Sequence, residues 1–463
     1  MNDSARKFAV GRYAVLLTLV FSSVFVVSGR AADAPNIVLI VSDDQGWNDI
    51  GYHNPKILTP HLDRLAATGV RLEANYVFPT CSPTRAALLT GINPSRYGIM
   101  GPIAGSSKLA LPTSTITLAR ALKTRGYTTA ITGKWHLGLR PEVGPRKYGF
   151  DRTYGYLHGQ IDPYTHRYKL GDRTWHRQDK FFDEEGHATD LIAAEAVWII
   201  EQQGDGPLFL YVPFSVPHHP LAEPQEWRAK YKGRIDDPSR RLFAASLTHM
   251  DAAIGRIVAA LDRSKKRNNT LIVFTSDNGG QKNWGKNTQY EGRYKNGHPT
   301  LGDNRPLRGW KGELFEGGIR VPALANWPGR LKPGRLNTVV SALDWFPTFA
   351  HLAGYQLPSD LPLEGQNIWP LLVDPAKAAS KSKPRTLYWN TGSRSAVRRG
   401  PWKLIASGGK KKTYQLFNLD DDPQEKTDLS GRLEQQTFQL RGLLEREASM
   451  NFRLKIKNEG AVR

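Results

Sequence analysis

Four short apolar runs in this chain end in the same way, in a cluster of polar residues. The run 36–41 leads into Ser42, Asp43 and Asp44, and 128–132 leads into Gly133, Lys134, Trp135 and His136. The run 208–214 leads into Ser215, Val216, Pro217 and His218, and 270–274 leads into Thr275, Ser276, Asp277, Asn278, Gly279 and Gly280. Runs that are apolar at consecutive positions suit strands buried on both faces, as in parallel sheets covered by helices. Helical patterns lie between them. Thr59 and Pro60 open one that ends near Gly69, a second covers 116–124 ahead of Gly126, and a longer one spans about 240–262. The pattern predicts an α/β sandwich. In such folds ligands collect beyond the carboxyl ends of the strands, where all four polar clusters fall.

The stretch 281–310 is glycine-rich, polar and without periodicity, and a loop of that length inside a compact domain is usually functional. Near 376–384 the composition turns small and basic, as in a linker. Strand-like pieces at 385–390, 402–406 and 414–419 follow, then an amphipathic helix at about 433–450, giving a small C-terminal α+β subdomain. At the other end, Arg6, Lys7 and Arg12 precede the apolar run 14–27 and a group of small residues up to Ala34. This is the order of a secretory signal peptide, and the run is shorter than the roughly 20 residues a membrane span needs. The expected organisation is a signal peptide at 1–33, a catalytic domain at 34–375 and the subdomain at 376–463. The expected destination is outside the cytoplasm: periplasm, medium or cell surface.

At 463 residues, 40% hydrophobic and 23% charged, the chain reads as globular, with more length than one core needs. Its 64 Lys and Arg against 43 Asp and Glu leave a formal charge of +21, which attracts polyanions at long range. No nucleic-acid module accompanies that charge, so a sulfated polysaccharide fits better than nucleic acid. A generally basic surface with no partner is the plainer alternative.

The single cysteine, Cys81, excludes an intramolecular disulfide. Pro83 suits a first helical turn, the apolar residues Ala86 to Leu89 continue a helix, and Thr90 with Gly91 closes it. Cys81 is thereby expected at a helix N-terminus, where unpaired N–H groups favour an anion, with the Arg85 guanidinium beside it. Asp43, Asp44, Asp277 and Asn278 offer three carboxylates and an amide oxygen from two strand ends. An oxygen-only set suits a hard divalent cation, calcium first and magnesium second, although an Asp-Asp pair alone equally suits a turn or helix cap. Lys134 and His136 point to one side if residues 133–136 stay extended.

The run from Thr80 to Gly91 resembles the signature of the type I sulfatases, C-x-P-S/T-R followed by a short apolar helix and a Thr-Gly pair. Thr84 stands where serine is commoner. In that family the cysteine becomes Cα-formylglycine (3-oxoalanine), whose hydrated aldehyde is the nucleophile. The block 35–51 is similar to the family's first metal block, with Gln45 in place of a common leucine. The resemblance gives metal ligation to Asp43, Asp44, Asp277 and Asn278, with the oxygen of residue 81 as a further ligand. The block 133–138 resembles the family's G-K-W-H-L-G, where the lysine (Lys134) contacts nucleophile and sulfate and the histidine (His136) bonds the diol. His218 matches the histidine of P-H-x-P, and His219 occupies the variable position, facing substrate. Lys311 matches the sulfate-reaching lysine of R-G-x-K…E-G-G-x-R. Arg308 of that block and His166 are further substrate-binding candidates.

The resemblance implies an alkaline-phosphatase-like α/β/α sandwich with a large, mostly parallel central sheet. It implies sulfate-ester hydrolysis in which the metal, Arg85, Lys134 and Lys311 neutralise the sulfate oxygens. His218 with Lys311 would protonate the leaving alcohol, and His136 would take the proton that releases sulfate from the covalent sulfo-enzyme. Maturation would need a formylglycine-generating enzyme; the substrate would be a sulfated glycan, with no nucleic acid and no stable membrane insertion. Residues 46–49, 149–151, 154–156 and 277–280 are most similar to the arylsulfatase B-like group, the N-acetylgalactosamine-4-sulfatases, though that group's additional cysteines are missing and the segment 155–166 differs. Galactosamine-4-sulfate glycans and sulfated algal galactans are both open as substrates. Two other functions stay open: a phosphate or phosphonate monoester hydrolase on the same fold, and a catalytically silent protein that grips sulfated glycan.

Overall fold

In the computed structural model the four apolar runs become adjacent parallel strands. The structure describes residues 34–169, 171–282, 301–374, 384–409 and 411–454; the expected signal segment, most of the 281–310 stretch and most of the 376–384 linker lie outside them. Strands Arg152–Tyr156, Thr128–Lys134, Leu208–Pro213, Asn36–Ser42 and Thr270–Ser276 lie side by side in that order, all parallel. The Asn36–Ser42 strand is in the middle, with Ile37 opposite Phe209 on one side and Leu271 on the other. The sheet reaches ten strands by adding Ala323–Asn326 and Trp175–Arg177 antiparallel at its two flanks, followed by short edge strands.

Each central strand is buried on both faces, and its residues alternate between two cores. Ile37, Leu39 and Val41, with Leu271 and Val273, pack against Ala86–Leu89, Leu118, Leu122, Trp345 and Phe346. Val38 and Ile40, with Ile272 and Phe274, pack against Leu62, Ile192, Ile199, Phe243 and Ile254. These contacts put helices Cys81–Thr90, Leu118–Lys123 and Trp345–Leu352 on one side. Helices Pro60–Ala67, Ala188–Gln202 and Pro238–Arg263 cover the other. The expected α/β/α sandwich is the observed fold. Helix Ala188–Gln202 was not anticipated; alanine, isoleucine, valine and tryptophan recur on all its sides, so its helical period is weak.

The C-terminal part is a four-stranded antiparallel sheet, Thr386–Asn390, Arg394–Arg399, Trp402–Ser407 and Thr413–Asn418, with helix Glu434–Ser449. Leu440 and Leu444 of that helix pack on Tyr388, Val397, Leu404 and Leu416. The opposite face of the sheet, with Leu387, Trp389, Ala396, Ile405 and Phe417, joins the main core. Strand Arg394–Arg399 was missed because four of its six residues are Arg or Ser and only its pairing with two apolar neighbours makes it a strand.

One buried ammonium ties this sheet to the larger part. Lys403 Nζ lies 2.9 Å from Glu316 Oε1 and 2.8 Å from Glu425 Oε1, all three side chains being fully buried. Glu425 also accepts the Glu316 N–H at 2.6 Å, and Tyr76 donates to Glu316 at 2.5 Å. Removing only the cation strands two carboxylates in the interior. Lys403→Met is expected to cost about 3–5 kcal/mol in urea melts, and a variant as stable as the parent would contradict this anchoring.

Candidate functional site

The site forms where four parallel strands end. Asp44 follows its strand with a φ of 72°, in the left-handed region that aspartate tolerates better than most residues. That bend brings the Asp44 N–H to Asp277 Oδ1 at 3.1 Å, while the Asp277 N–H donates to the Ser42 carbonyl and the Asp43 N–H to the Val216 carbonyl, both at 3.0 Å. Neighbouring strand ends are thus laced together by the residues that carry the carboxylates. Across from them, Cys81 is the first residue of a ten-residue helix buried along its whole length. Thr80 enters it extended, and Gly91 closes it at a φ of 66°. The Cys81 Sγ and oxygens of Asp43 and Asp277 lie within 4.8 Å of one another.

Three cations face three carboxylates here. Arg85 Nη2 lies 2.6 Å from Asp277 Oδ2 and 3.6 Å from Asp43 Oδ2, and Nη1 donates to the Lys134 carbonyl at 3.2 Å. Lys134 Nζ is 2.5 Å from Asp43 Oδ2, and Lys311 Nζ is 2.6 Å from Asp44 Oδ1. Burial and then the Asp43 charge push the Asp277 carboxyl up, and Arg85 opposes them. Burial would lower Lys311, but the Asp44 carboxylate and its neighbours hold it above the ordinary lysine value. Burial also pushes the Cys81 thiol up, against Lys134 and Lys311, so an unmodified thiol is a poor nucleophile here. Asp43 Oδ1 and Asn278 Oδ1 are buried acceptors that receive no hydrogen bond. Open oxygens of this kind, beside two more carboxylates, fit a hard divalent cation.

The sequence-derived histidines divide. His136 lies next to the cations, since burial first and Lys134, Arg85 and Lys311 after it hold its ring well below the usual histidine value. Its φ is 53°, so the expected extended run stops at Lys134 and the two side chains do not alternate as on a strand. Its Nε2 donates to the Ile103 carbonyl at 3.0 Å, leaving an Nδ1 lone pair that is buried and accepts no hydrogen bond. His218 Nδ1 donates to the His219 carbonyl at 2.5 Å, and Nε2 stands 3.8 Å from Asp44 Oδ2. His219 is buried beside it, and burial lowers its ring to about 4. His166 belongs to different surroundings, stacked on Trp175 and bonded to the Gly186 carbonyl at 3.1 Å. Arg308 donates to the Glu425 carbonyl at 2.6 Å and lies over the Phe315 ring, contacts that join the C-terminal part rather than the carboxylate cluster.

A second group of metal-binding residue types, His187, Glu223 and His249, is also buried. Its rings face carboxylates, although His187 Nε2 and Glu223 Oε1, 3.7 Å apart, make no hydrogen bond. His249 is held between Glu223 at 2.7 Å and Asp190 at 3.1 Å; burial pushes it down, but the two carboxylates keep it up at about 9. His187 Nδ1 accepts the Thr189 N–H at 3.3 Å, which leaves the ring proton on Nε2 facing Glu223. Three residues near the main site went unassigned in the sequence. Tyr156 is fully buried close enough to Asp43 for that charge, after burial, to raise its hydroxyl far above the ordinary value. Asp49 and Asn304 sit among the loops behind the carboxylates. Asp49 closes the stretch 46–49 that carried part of the family resemblance, but no role was attached to it.

Comparison with known proteins shows the family. Residues 35–355 match the family described as Sulfatase, and 309–449 match that described as N-sulphoglucosamine sulphohydrolase, C-terminal. Arylsulfatase J of Mus musculus is 33% identical over 86% of this chain and 73% of its own length. N-acetylgalactosamine-6-sulfatase of Mus musculus is 34% identical over 84% and 75%, and arylsulfatase A of Bos taurus 36% over 80% and 73%. Among solved structures, Ps i-CgsB in complex with k-i-k-neocarrahexaose superposes with a TM-score of 0.80 at 31% identity, covering 92% of this chain and 95% of that one. The chain belongs to the sulfatase family and is a sulfuric ester hydrolase.

Gly133, directly before Lys134, is where strand packing is tightest. Its φ is 129°, and a Cβ there would stand 2.0 Å from the Pro213 carbonyl oxygen. Gly133→Ala is expected to destabilise by at least about 1–3 kcal/mol and to displace Lys134. A variant with the parental melting temperature and activity would contradict this close approach.

Proposed function

We propose that the chain is exported and removes sulfate from monoesters on a sulfated galactan or a galactosamine-sulfate glycan, with residue 81 converted to Cα-formylglycine as the nucleophile. The observation that carries the reading is the juxtaposition of Cys81 with Asp43 and Asp277 at one sheet edge, where the buried oxygens of Asp43 and Asn278 are left open. Asp43, Asp44, Asp277 and Asn278 would hold calcium, with magnesium as second choice; the metal and the formylglycine hydrate together supply charge neutralisation and an acidic hydroxyl.

The chain's own residues supply the rest. Three carboxylates and three cations balance one another. A divalent cation therefore leaves the pocket net positive, ready for a sulfate monoester anion. Lys134 and Lys311, paired here with Asp43 and Asp44, would turn to sulfate oxygens once a metal takes over those carboxylates, while Arg85, bonded to Asp277 and the Lys134 carbonyl, holds that carboxylate in place. His218, with Lys311, protonates the departing alcohol: Nδ1 keeps its proton on the His219 carbonyl and burial beside Lys311 and Lys134 holds the ring neutral, so the proton would come from the Lys311 ammonium and pass through His218 Nε2. The open Nδ1 of His136 accepts the proton that releases sulfate. His219 completes the substrate side, and His166 and Arg308 act at a distance from the reacting group.

The substrate class rests on likeness. Ps i-CgsB was solved with a neocarrahexaose, and curated relatives are named N-acetylgalactosamine-6-sulfatases. A sulfated galactan is the first choice and a galactosamine-sulfate glycan the second. The assignment of 1–33 to a signal peptide, 34–375 to the catalytic domain and 376–463 to the subdomain, with export and a formylglycine-generating partner, belongs to the same proposal.

Peptide mass spectrometry of active protein is expected to find residue 81 about 18 Da lighter than cysteine, the difference between a thiol-bearing carbon and an aldehyde. Fully active protein with unmodified Cys81 would overturn the mechanism. Sulfate release from a panel of defined sulfated oligosaccharides tests the substrate class; turnover of neither galactan nor galactosamine sulfates would overturn it.

The two histidines separate by leaving group. His218→Ala should reduce turnover of sugar sulfates about 10²–10⁴-fold and nitrophenyl sulfate far less, since its phenolate leaves unaided. His136→Ala should slow both substrates alike. Equal losses for His218→Ala would reverse the assignment.

A further inference from the structure

We infer that Asp49, paired with Arg240, is a positioning residue for the cation site, holding the two chain segments that supply its ligands at a fixed separation; this rests on the metal reading above. Asp49 is fully buried, and its carboxylate is the meeting point of three parts of the chain. Oδ2 accepts the Gly46 N–H at 3.0 Å and the Asp303 N–H at 2.8 Å, and Oδ1 pairs with Arg240 of helix Pro238–Arg263. Gly46 lies two residues beyond Asp44. Gln45, between them, donates its side-chain amide to the Asp49 carbonyl at 2.7 Å.

On the other side, Asp303 adjoins Asn304, whose amide spans Gly280: its Oδ1 accepts the Gly280 N–H at 2.8 Å and its Nδ2 donates to the Gly280 carbonyl at 3.0 Å. Gly280 lies two residues beyond Asn278, and its carbonyl also accepts the Lys311 N–H at 3.1 Å. Asn48 reinforces the link, donating its N–H to the Asp303 carbonyl and its side-chain amide to Asp303 Oδ2, both at 2.8 Å. Arg240 adds a bond from Nη1 to the Leu301 carbonyl at 2.8 Å. Asp43 and Asp44 thus connect through Gly46, Asp49, Asp303 and Asn304 to Asn278 and Lys311.

The two segments also touch directly, the Asp44 N–H donating to Asp277 Oδ1 at 3.1 Å and Asn278 Nδ2 to Asp44 Oδ1 at 2.8 Å. Asp49 adds a second tie behind the ligand oxygens, fixing the backbone that follows Asp44 against the backbone that follows Asn278. Partners bonded directly to a metal's ligands typically change its affinity about 10–100-fold when lost, and Asp49, one step further out, is expected at the lower end of that range.

The test is calcium affinity of the full chain, measured by chelator competition and by terbium luminescence, with melting temperature recorded in parallel. Asp49→Asn should weaken calcium binding about 10-fold, because an amide NH₂ replaces one of the acceptor oxygens. Arg240→Met should weaken it too, and Arg240→Lys, which keeps the charge, should recover part of the loss. Asp251→Asn serves as the matched control, since Asp251 is a buried carboxylate accepting the His61 and Leu62 N–H groups on helix Pro60–Ala67. It should lower the melting temperature without moving the calcium affinity. A parental calcium affinity in Asp49→Asn, with only a lower melting temperature, would overturn the positioning role. If Asp49→Asn does not fold, unchanged affinity in both Arg240 variants overturns it equally. Absence of calcium binding in the parent would instead overturn the metal reading beneath it.

Discussion

Three carboxylates removed from water at the end of the central sheet are the constraint on which the rest depends. Each buried charge costs several kcal/mol unless it is paired, and Asp43, Asp44 and Asp277 are met by Lys134, Lys311 and Arg85, one cation to each acid. The pairing leaves two oxygens, one on Asp43 and one on Asn278, with no hydrogen bond at all. A site balanced in charge yet short of donors is poised for one more cation. Under the proposed function that cation would turn the neutral cluster into one that attracts an anionic ester, so the same three ion pairs would serve both the bare protein and the loaded site.

Such a cluster has to be held by something other than itself. Backbone groups do part of this, because the strands end in register and donate across to one another, as the Asp277 N–H does to Ser42. Close approach does another part: at Gly133 and Gly155 the strands leave no room for a side chain. Loops do the remainder. Asp49 and Asn304 bind backbone amides on both sides of the site, so the peptide groups following Asp44 and Asn278 are fixed by polar side chains rather than by the sheet.

The C-terminal part shows the same economy of charge. Lys403 sits between Glu316 and Glu425, and Arg308 reaches the Glu425 carbonyl, so the sheet beyond residue 384 is pinned beside the segment that carries Lys311.

The sequence by itself determined the sheet and its chemical edge. Runs such as 36–41 and 270–274 are apolar at nearly every position, a pattern that burial on both faces explains, and each carried its polar cluster at the strand's end. It also determined Cys81 at a helix start, through Pro83 and Gly91. What it left undecided depended on contacts between distant segments. Arg394–Arg399 is polar and becomes a strand only by pairing, and helix Ala188–Gln202 lacks a clear polar face. His136 leaves the extended line that alternation along 133–136 suggested, because a left-handed backbone step intervenes. His166 and Arg308 have residue types suited to a sulfate, but tertiary packing gives one to Trp175 and the other to Phe315. Asp49 was visible only as part of the stretch 46–49, with no role attached. Its place between Gly46, Asp303 and Arg240 joins residues about 190 and 250 positions apart, and local spacing carries no information about separations of that size.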